Sequence, residues 1–472
     1  MNEALQRPPA LDRLHSGVSG LDVILSGGFF QSGVYIIQGP PGCGKTILAN
    51  QICFAHVKAG GTAVYATLLA ESHSRMLQHL GRLSFFDLSV MPEKLTYVSA
   101  FNELESEGLS GLMGVLRREM RARKAGVLVL DGLVAATESA STGTELKKFV
   151  HEIQSNAVFH GCTVFLLTSA GEAARVNAEH TMVDGLIQLE DRLYEARAER
   201  SIQVRKFRGD GVLRGKHAFA ITDDGIRVFP RIEAVYRLPP EDTGVQARLT
   251  SGAPSLDRLF GGGGFPAATA TMLIGSTGTG KTTLGLQFLA QSRAQEPGLL
   301  FSFFEAPSRI RGKAASLGLP WHELEAAGHL HQVWHPQGEH LMDELGHRLL
   351  DAVNEHGIRR LVIDGLSGFF ESAVYPERVT RFFSCLVNEL RRRGVTTMMT
   401  LETRDAVGST VSTQYGVSGF IDNLVFLRFV SDRGRARRIL SLIKVRDADF
   451  DPRLQEMAIT SSGIRIAGAF DV

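Results

Sequence analysis

Short, β-branched apolar runs alternate along this chain with longer stretches that carry apolar residues at helical spacing. In the first half the runs are VYIIQ, TAVYATLL, LTYVSA, GVLVLD and TVFLLTSA. An apolar run bounded by polar turns reads as a strand, and the amphipathic stretches between them read as helices. Strands alternating with helices predict a largely parallel sheet covered by helices, an α/β architecture.

The pattern occurs twice, at an offset of about 235 residues, the kind of self-similarity that marks a repeated unit. Arg13-Leu14, Ser16-Gly17 and Leu21-Asp22 recur as Arg248-Leu249, Ser251-Gly252 and Leu256-Asp257. VYIIQ is echoed by ATMLI, and Glu71 to Arg75 (ESHSR) by Glu305 to Arg309 (EAPSR). VLVLDGL, from Val127, is echoed by LVIDGLSG, from Leu361. The period is too long for a solenoid and reads as a duplicated domain. The polar stretch between Pro230 and Gln246, broken by Pro239-Pro240, is the expected join. The expected domains are therefore residues 1–236 and 237–472.

Each half places a glycine-rich loop between its first long strand and a helix. The first, GPPGCGKT, runs from Gly39 through Gly42, Cys43, Gly44 and Lys45 to Thr46. The second, GSTGTGKTT, runs from Gly275 through Thr277, Gly278, Thr279, Gly280, Lys281 and Thr282 to Thr283. Both fit G-x-x-x-x-G-K-[ST] in its required strand-to-helix context. Glycines allow positive φ and close backbone approach. Successive N–H groups and the helix N-terminus then face phosphate oxygens. Lys45 and Lys281 are expected to neutralise the β- and γ-phosphates of ATP, and Thr46 and Thr282 to ligate Mg²⁺. Asp131 and Asp364 close apolar strands behind the loops and are the expected second magnesium carboxylates.

Composition narrows the class. Hydrophobic residues make up 44% and charged residues 21% of 472, with a net charge of +1, which argues against a dominant nucleic-acid or membrane-surface field. Cys43, Cys53, Cys162 and Cys385 have no metal-ligand spacing and suit a reduced, cytoplasmic setting. The N-terminal stretch lacks an apolar signal core, and no apolar run is long enough to span a bilayer.

Together the RLxSGxxxLD opening, the double loop, the acidic motif after it and a basic segment closing each half resemble the KaiC family of the RecA superfamily. The resemblance covers nearly the whole chain. It implies two tandem RecA-like P-loop NTPase domains, each a largely parallel sheet flanked by helices. The basic segments are Val204 to Gly209 (VRKFRG) and Ile443 to Arg446 (IKVR). In the family the matching Lys-x-Arg reaches a neighbouring subunit's nucleotide, which assigns Lys206, Arg208, Lys444 and Arg446 that role by resemblance. Cations from outside the cradle stabilise charge on a transferring phosphoryl group. A guarded strand edge would use the same residue types. The family's ring, usually of six subunits, is then the expected active form, with a protein partner in signalling as the expected target.

The chain departs from the family at the paired glutamates that follow the strand after each loop. Ala70 and Phe304 stand in the first place, and only the second glutamate, Glu71 or Glu305, is kept. These two are the candidates for water activation or magnesium support, and a helix N-terminus favoured by its dipole is the plainer reading of both. Hydrolysis is expected to be slow if the missing acid was the main base. The family's clock member phosphorylates an adjacent Ser-Thr pair. Here Ser418 matches the serine and Gly419 replaces the threonine, so autophosphorylation at Ser418 rests on the resemblance alone. The chain ends soon after its last strand, so a tail-binding clock partner is not expected. The axial loops that bind DNA in other members of the superfamily correspond to residues 170–184 and 404–422. They carry few cations, and DNA is not the expected partner. The clusters around Arg117 to Lys124 and Arg391 to Arg393 read as solvated helix faces. His217 is an ordinary strand residue unless the family resemblance brings it near a nucleotide.

Overall fold

The computed structural model describes residues 12–68, 73–169, 182–237, 247–261, 263–336, 338–403, 419–446 and 449–470. The chain divides into two compact units, Met1–Arg231 and Ile232–Val472. The division falls before helix Ile232–Val235, ahead of the 236/237 boundary expected from sequence. Ile232 is fully buried in the core of the second unit, and its N–H donates to Asp343 at 3.2 Å.

Among the described residues, each unit is built on a nine-stranded sheet. In the first, the phosphate-loop strand Val34–Gln38 lies between Thr163–Thr168 and Gly185–Tyr194 and is parallel to both. Val127–Asp131, Ala63–Thr67 and Leu95–Ser99 continue the parallel part outward. On the other side Gly185–Tyr194, Arg197–Phe207, Lys216–Thr222 and Gly225–Phe229 form an antiparallel meander. The second unit repeats this order, with Ala270–Gly275 between Thr396–Glu402 and Asn423–Asp432. The two-half alternation of strand and helix in the sequence is thus realised as two RecA-like sheets flanked by helices.

Apolar cores lie on both faces of each sheet. Helix Val379–Arg392 shows why. Its buried Val379, Phe382, Phe383, Leu386, Val387 and Leu390 recur at helical spacing and form one face. Helix Lys45–Lys58, which follows the first glycine loop, is instead buried nearly all round, with Leu48 to Phe54 inside. Helix Gly143–His160 is bounded by its own sequence. Thr142 accepts from the N–H of Glu145, Glu145 accepts from the N–H of Ser141, and Gly161 ends the helix at φ 66°.

Arg391 corrects the expectation of a solvated face. It is part-buried and makes bonds of 2.8 and 3.2 Å to Asp422, whose carboxylate also accepts from the N–H of Ala270. This arginine joins helix to sheet because its guanidinium reaches past the helix end to a buried carboxylate. Arg393 is likewise turned inward, to Glu389 and to the carbonyl of Leu350. Arg117 and Arg118 are exposed, as read from the sequence.

Phe301 is fully buried and stacks on Phe369 at 5.8 Å. Replacing it with alanine is expected to destabilise the second unit by about 3–5 kcal/mol in denaturant unfolding of the full chain. A change under about 1 kcal/mol would contradict this packing.

Candidate functional site

The glycine loops sit at the carboxyl ends of their parallel strands, where open α/β sheets bind ligands. Gly39 and Gly275 are required by close approach. A Cβ on Gly39 would lie 2.5 Å from the Leu189 carbonyl oxygen, and one on Gly275 would lie 2.2 Å from that of Leu427. Gly42, Gly44, Gly278 and Gly280 all adopt left-handed φ between 78° and 104°. Gly44 and Gly280 stand immediately before the helices that begin at Lys45 and Lys281.

Both lysines lie across their own loops. Lys45 donates to the carbonyls of Gly39 and Pro40 at 2.7 and 2.9 Å, and Lys281 to those of Gly275 and Ser276 at 2.7 and 2.8 Å. Burial pulls the Lys281 ammonium below the ordinary lysine range, opposed by Glu402 and Asp364. Cys43 and Thr279 turn inward and are fully buried, so only their backbones face the cradle. The Thr279 hydroxyl donates to the Ser276 carbonyl at 2.8 Å.

The two oxygens expected to hold magnesium meet in each unit. The Thr46 hydroxyl donates to Asp131, and the Thr282 hydroxyl to Asp364, each at 3.2 Å. Burial pushes both carboxyls above the usual 3.8, and hydrogen bonds oppose it. Hard oxygen donors converging beside a phosphate cradle fit Mg²⁺, which takes its remaining ligands from water and phosphate. Among the described residues no cluster of three or more His, Cys, Asp or Glu side chains could hold a metal unaided.

The partner that orients each aspartate was not legible in the sequence, because it comes from a different strand in each unit. Tyr65 donates to Asp131 at 2.8 Å from one neighbouring strand. In the second unit Leu300 holds that register position. Thr400, from the strand on the other side, donates to Asp364 at 2.7 Å while accepting from the N–H of Gly365. Leu167 stands in place of Thr400 in the first unit. One hydroxyl is conserved in function and exchanged in origin.

In the second unit the loop opens on a cavity of about 510 Å³ lined by Lys281, Thr282, Thr283, Asp364, Glu305 and Lys313, among others. Glu402 in its wall accepts from the Thr277 hydroxyl. Phe304 also lines it, half-exposed, with its ring against Gly365. Arg438 was another residue missed. It donates to the Gly278 carbonyl at 3.2 Å and lies 5.4 Å over the Phe429 ring. The register partners in the first unit are Arg200 and Asp191, which pair with each other at 3.0 Å. Of the remaining candidates, Glu71 and Ser418 lie outside the described residues, as do Ala70 and most of both axial-loop stretches.

The basic pairs lie at the opposite rim of their sheets. Lys206 is paired with Leu186, which is level with Ile36, and the Arg208 N–H donates to the Asp184 carbonyl. At about 3.3 Å per residue, these positions fall roughly 10 and 17 Å short of Gly39 along the strands. The side chains turn to the same rim. Arg208 donates to the Met182 carbonyl, Lys444 to that of Ile421, and Arg446 meets Asp422 at 3.2 Å. Burial and the adjacent arginine hold both lysines below the ordinary range. His217 is fully buried, with Nδ1 accepting from the Arg231 N–H and Nε2 on the Leu213 carbonyl, so it braces the meander rather than facing a ligand.

Fold and site define a tandem P-loop nucleotide-binding protein of RecA type. The family model for the KaiC ATPase matches residues 14–233 and 249–469, and the chain belongs to that family. It is 26% identical to the circadian clock oscillator protein KaiC of Picosynechococcus sp., over 98% of this chain and 90% of that protein. It is 26% identical to the KaiC of Rippkaea orientalis over 97% and 89%, and 25% identical to the circadian clock protein KaiC3 of Synechocystis sp. over 98% and 94%. No helix of the described residues is long and apolar enough to cross a membrane.

Because folding raises the carboxyl pKa of Asp131 and Asp364, stability in the metal-free chain falls as pH rises from 3.8 through the folded values. Asp131→Asn and Asp364→Asn are therefore expected to raise the melting temperature at pH 7 in EDTA, while weakening stabilisation by Mg²⁺ and ATP. Variants that melt lower in EDTA would contradict a burial cost at these positions. Tyr65→Phe and Thr400→Val each remove a bond to a charged group, and the magnesium concentration for half-maximal nucleotide binding is expected to rise roughly tenfold or more at the affected site. An unchanged requirement, measured by titration, would contradict the orienting role.

Proposed function

We propose that this chain binds ATP with Mg²⁺ at two sites, hydrolyses it within a homo-oligomeric ring, a hexamer, and uses nucleotide occupancy to control a protein partner in signalling. Magnesium, when bound by Thr46 and Asp131 or by Thr282 and Asp364, would offset negative charge on the β- and γ-phosphates. The loop amides and Lys45 or Lys281 orient the triphosphate in line for attack. Glu71 in the first unit and Glu305 in the second are the proposed acceptors of the water proton. A cytoplasmic setting suits the four free cysteines. Autokinase activity at Ser418 is included on the ground of family membership.

The position of the Lys-x-Arg pairs supports the ring. Lys206 with Arg208, and Lys444 with Arg446, stand at the rim away from their own phosphate loops and close to residues such as Met182 and Ile421. Cations placed there serve a nucleotide only if another copy of the chain brings it to them. The relatives with clock names extend the signalling part of the proposal to regulation over time. Phe304 in the second cavity favours a second reading, a nucleotide-locked scaffold with little turnover.

Light scattering of purified chain is expected to show about six protomers with ATP and Mg²⁺ and smaller species without. Lys206→Ala with Arg208→Ala is expected to retain ATP binding and lose turnover at the first site by about 10³-fold, the scale of an arginine finger. Phosphate release at the parental rate would overturn the trans assignment.

A further inference from the structure

The second cavity holds three carboxylates, and each has a partner. Asp364 takes the hydroxyls of Thr282 and Thr400, Glu402 takes that of Thr277, and Glu305 is ion-paired to Lys313 at 2.6 Å. This last pair follows from helix geometry. Helix Pro307–Ser316 starts two residues after Glu305, and Lys313 lies two turns along it. Side chains tilt toward the helix N-terminus, which brings the Lys313 stem back over the start of the helix. Ile310 and Ala314 anchor the inner face of the helix, and Arg311 pairs away with Glu325. Lys313 is left facing the cavity beside Glu305.

The first unit does not repeat Lys313 at the equivalent position. Counting from the shared Ser-Arg, its equivalent position is His79, which is exposed. The second unit also carries Phe304 where the family places its first glutamate, and that ring covers Gly365 next to Asp364. Of the two adjacent glutamates the family places here, Glu305 is thus the one left to take the proton of an attacking water. A carboxylate held on an ammonium must leave that ion pair before it can turn to a water.

We propose that Lys313 restrains the second site, holding Glu305 in an ion pair so that this site retains ATP while the first turns over. The inference rests on the reading that the second cavity holds ATP. In the step that is restrained, a water oxygen bonds to the γ-phosphorus, its proton passes to Glu305, and the bridging oxygen leaves with ADP. Lys313 acts through Glu305 and is a positioning residue.

The test follows the fate of bound nucleotide in the full-length chain, loaded with γ-labelled ATP and Mg²⁺ and freed of excess by rapid desalting. The parent is expected to release phosphate in a fast and a slow phase, the slow one absent from Lys281→Ala. Lys313→Met keeps the apolar stem and is expected to accelerate the slow phase about 100-fold, the low edge of what a positioned base supplies. Lys313→Arg is expected to keep it slow, and Lys313→Met with Glu305→Gln to return it to the parental rate. A slow phase unchanged by Lys313→Met, or accelerated equally in the Glu305→Gln background, would overturn the proposal. Failure of the parent to retain any triphosphate that depends on Lys281 would overturn the functional reading itself, and the restraint with it.

Discussion

In each unit a hydroxyl from the first turn of a helix and a carboxylate from the end of a neighbouring strand are held 3.2 Å apart, and the site depends on that meeting. Neither oxygen can be placed without the parallel sheet. The strand that ends at Asp131 or Asp364 is separated from the phosphate-loop strand by one intervening strand in the same register. The loop between strand and helix must then pass so close to the adjacent strand that only glycine fits at Gly39 and Gly275. Core packing on both sheet faces holds that spacing.

Much of this was legible in the sequence. The glycine loops, their lysines and threonines, and the strand-end aspartates are local patterns whose chemistry fixes their spacing, and the duplication showed each twice. What stayed hidden depends on register between distant strands. The hydroxyl that steadies each aspartate comes from Tyr65 in one unit and Thr400 in the other, residues 335 apart in number by the difference of those positions and on opposite sides of the aspartate's strand. Arg438 carries no local motif, and only its strand register sets it over Phe429 and against Gly278. Arg391 looked like a dipole-favoured surface cation, yet it crosses from helix to sheet to reach Asp422.

The two units share a scaffold and differ in the charges around it. The first carries Asp191 against Arg200, where the second carries Phe429 under Arg438. The second has Lys313 on Glu305 and the Phe304 ring in its cavity wall. Duplication preserved what binds phosphate, since that depends on backbone. The side chains around the loop, on strand and helix ends, differ between the units. On the proposal made above, these differences are what divides holding from turning over a nucleotide between the two units.

The function proposed for this chain requires that both glycine loops hold a triphosphate. Isothermal calorimetry with a non-hydrolysable ATP analogue and Mg²⁺ tests it on the intact chain. Two sites per chain are expected, with Lys45→Ala and Lys281→Ala each removing one and the double variant removing both. Full nucleotide affinity in the double variant would contradict it.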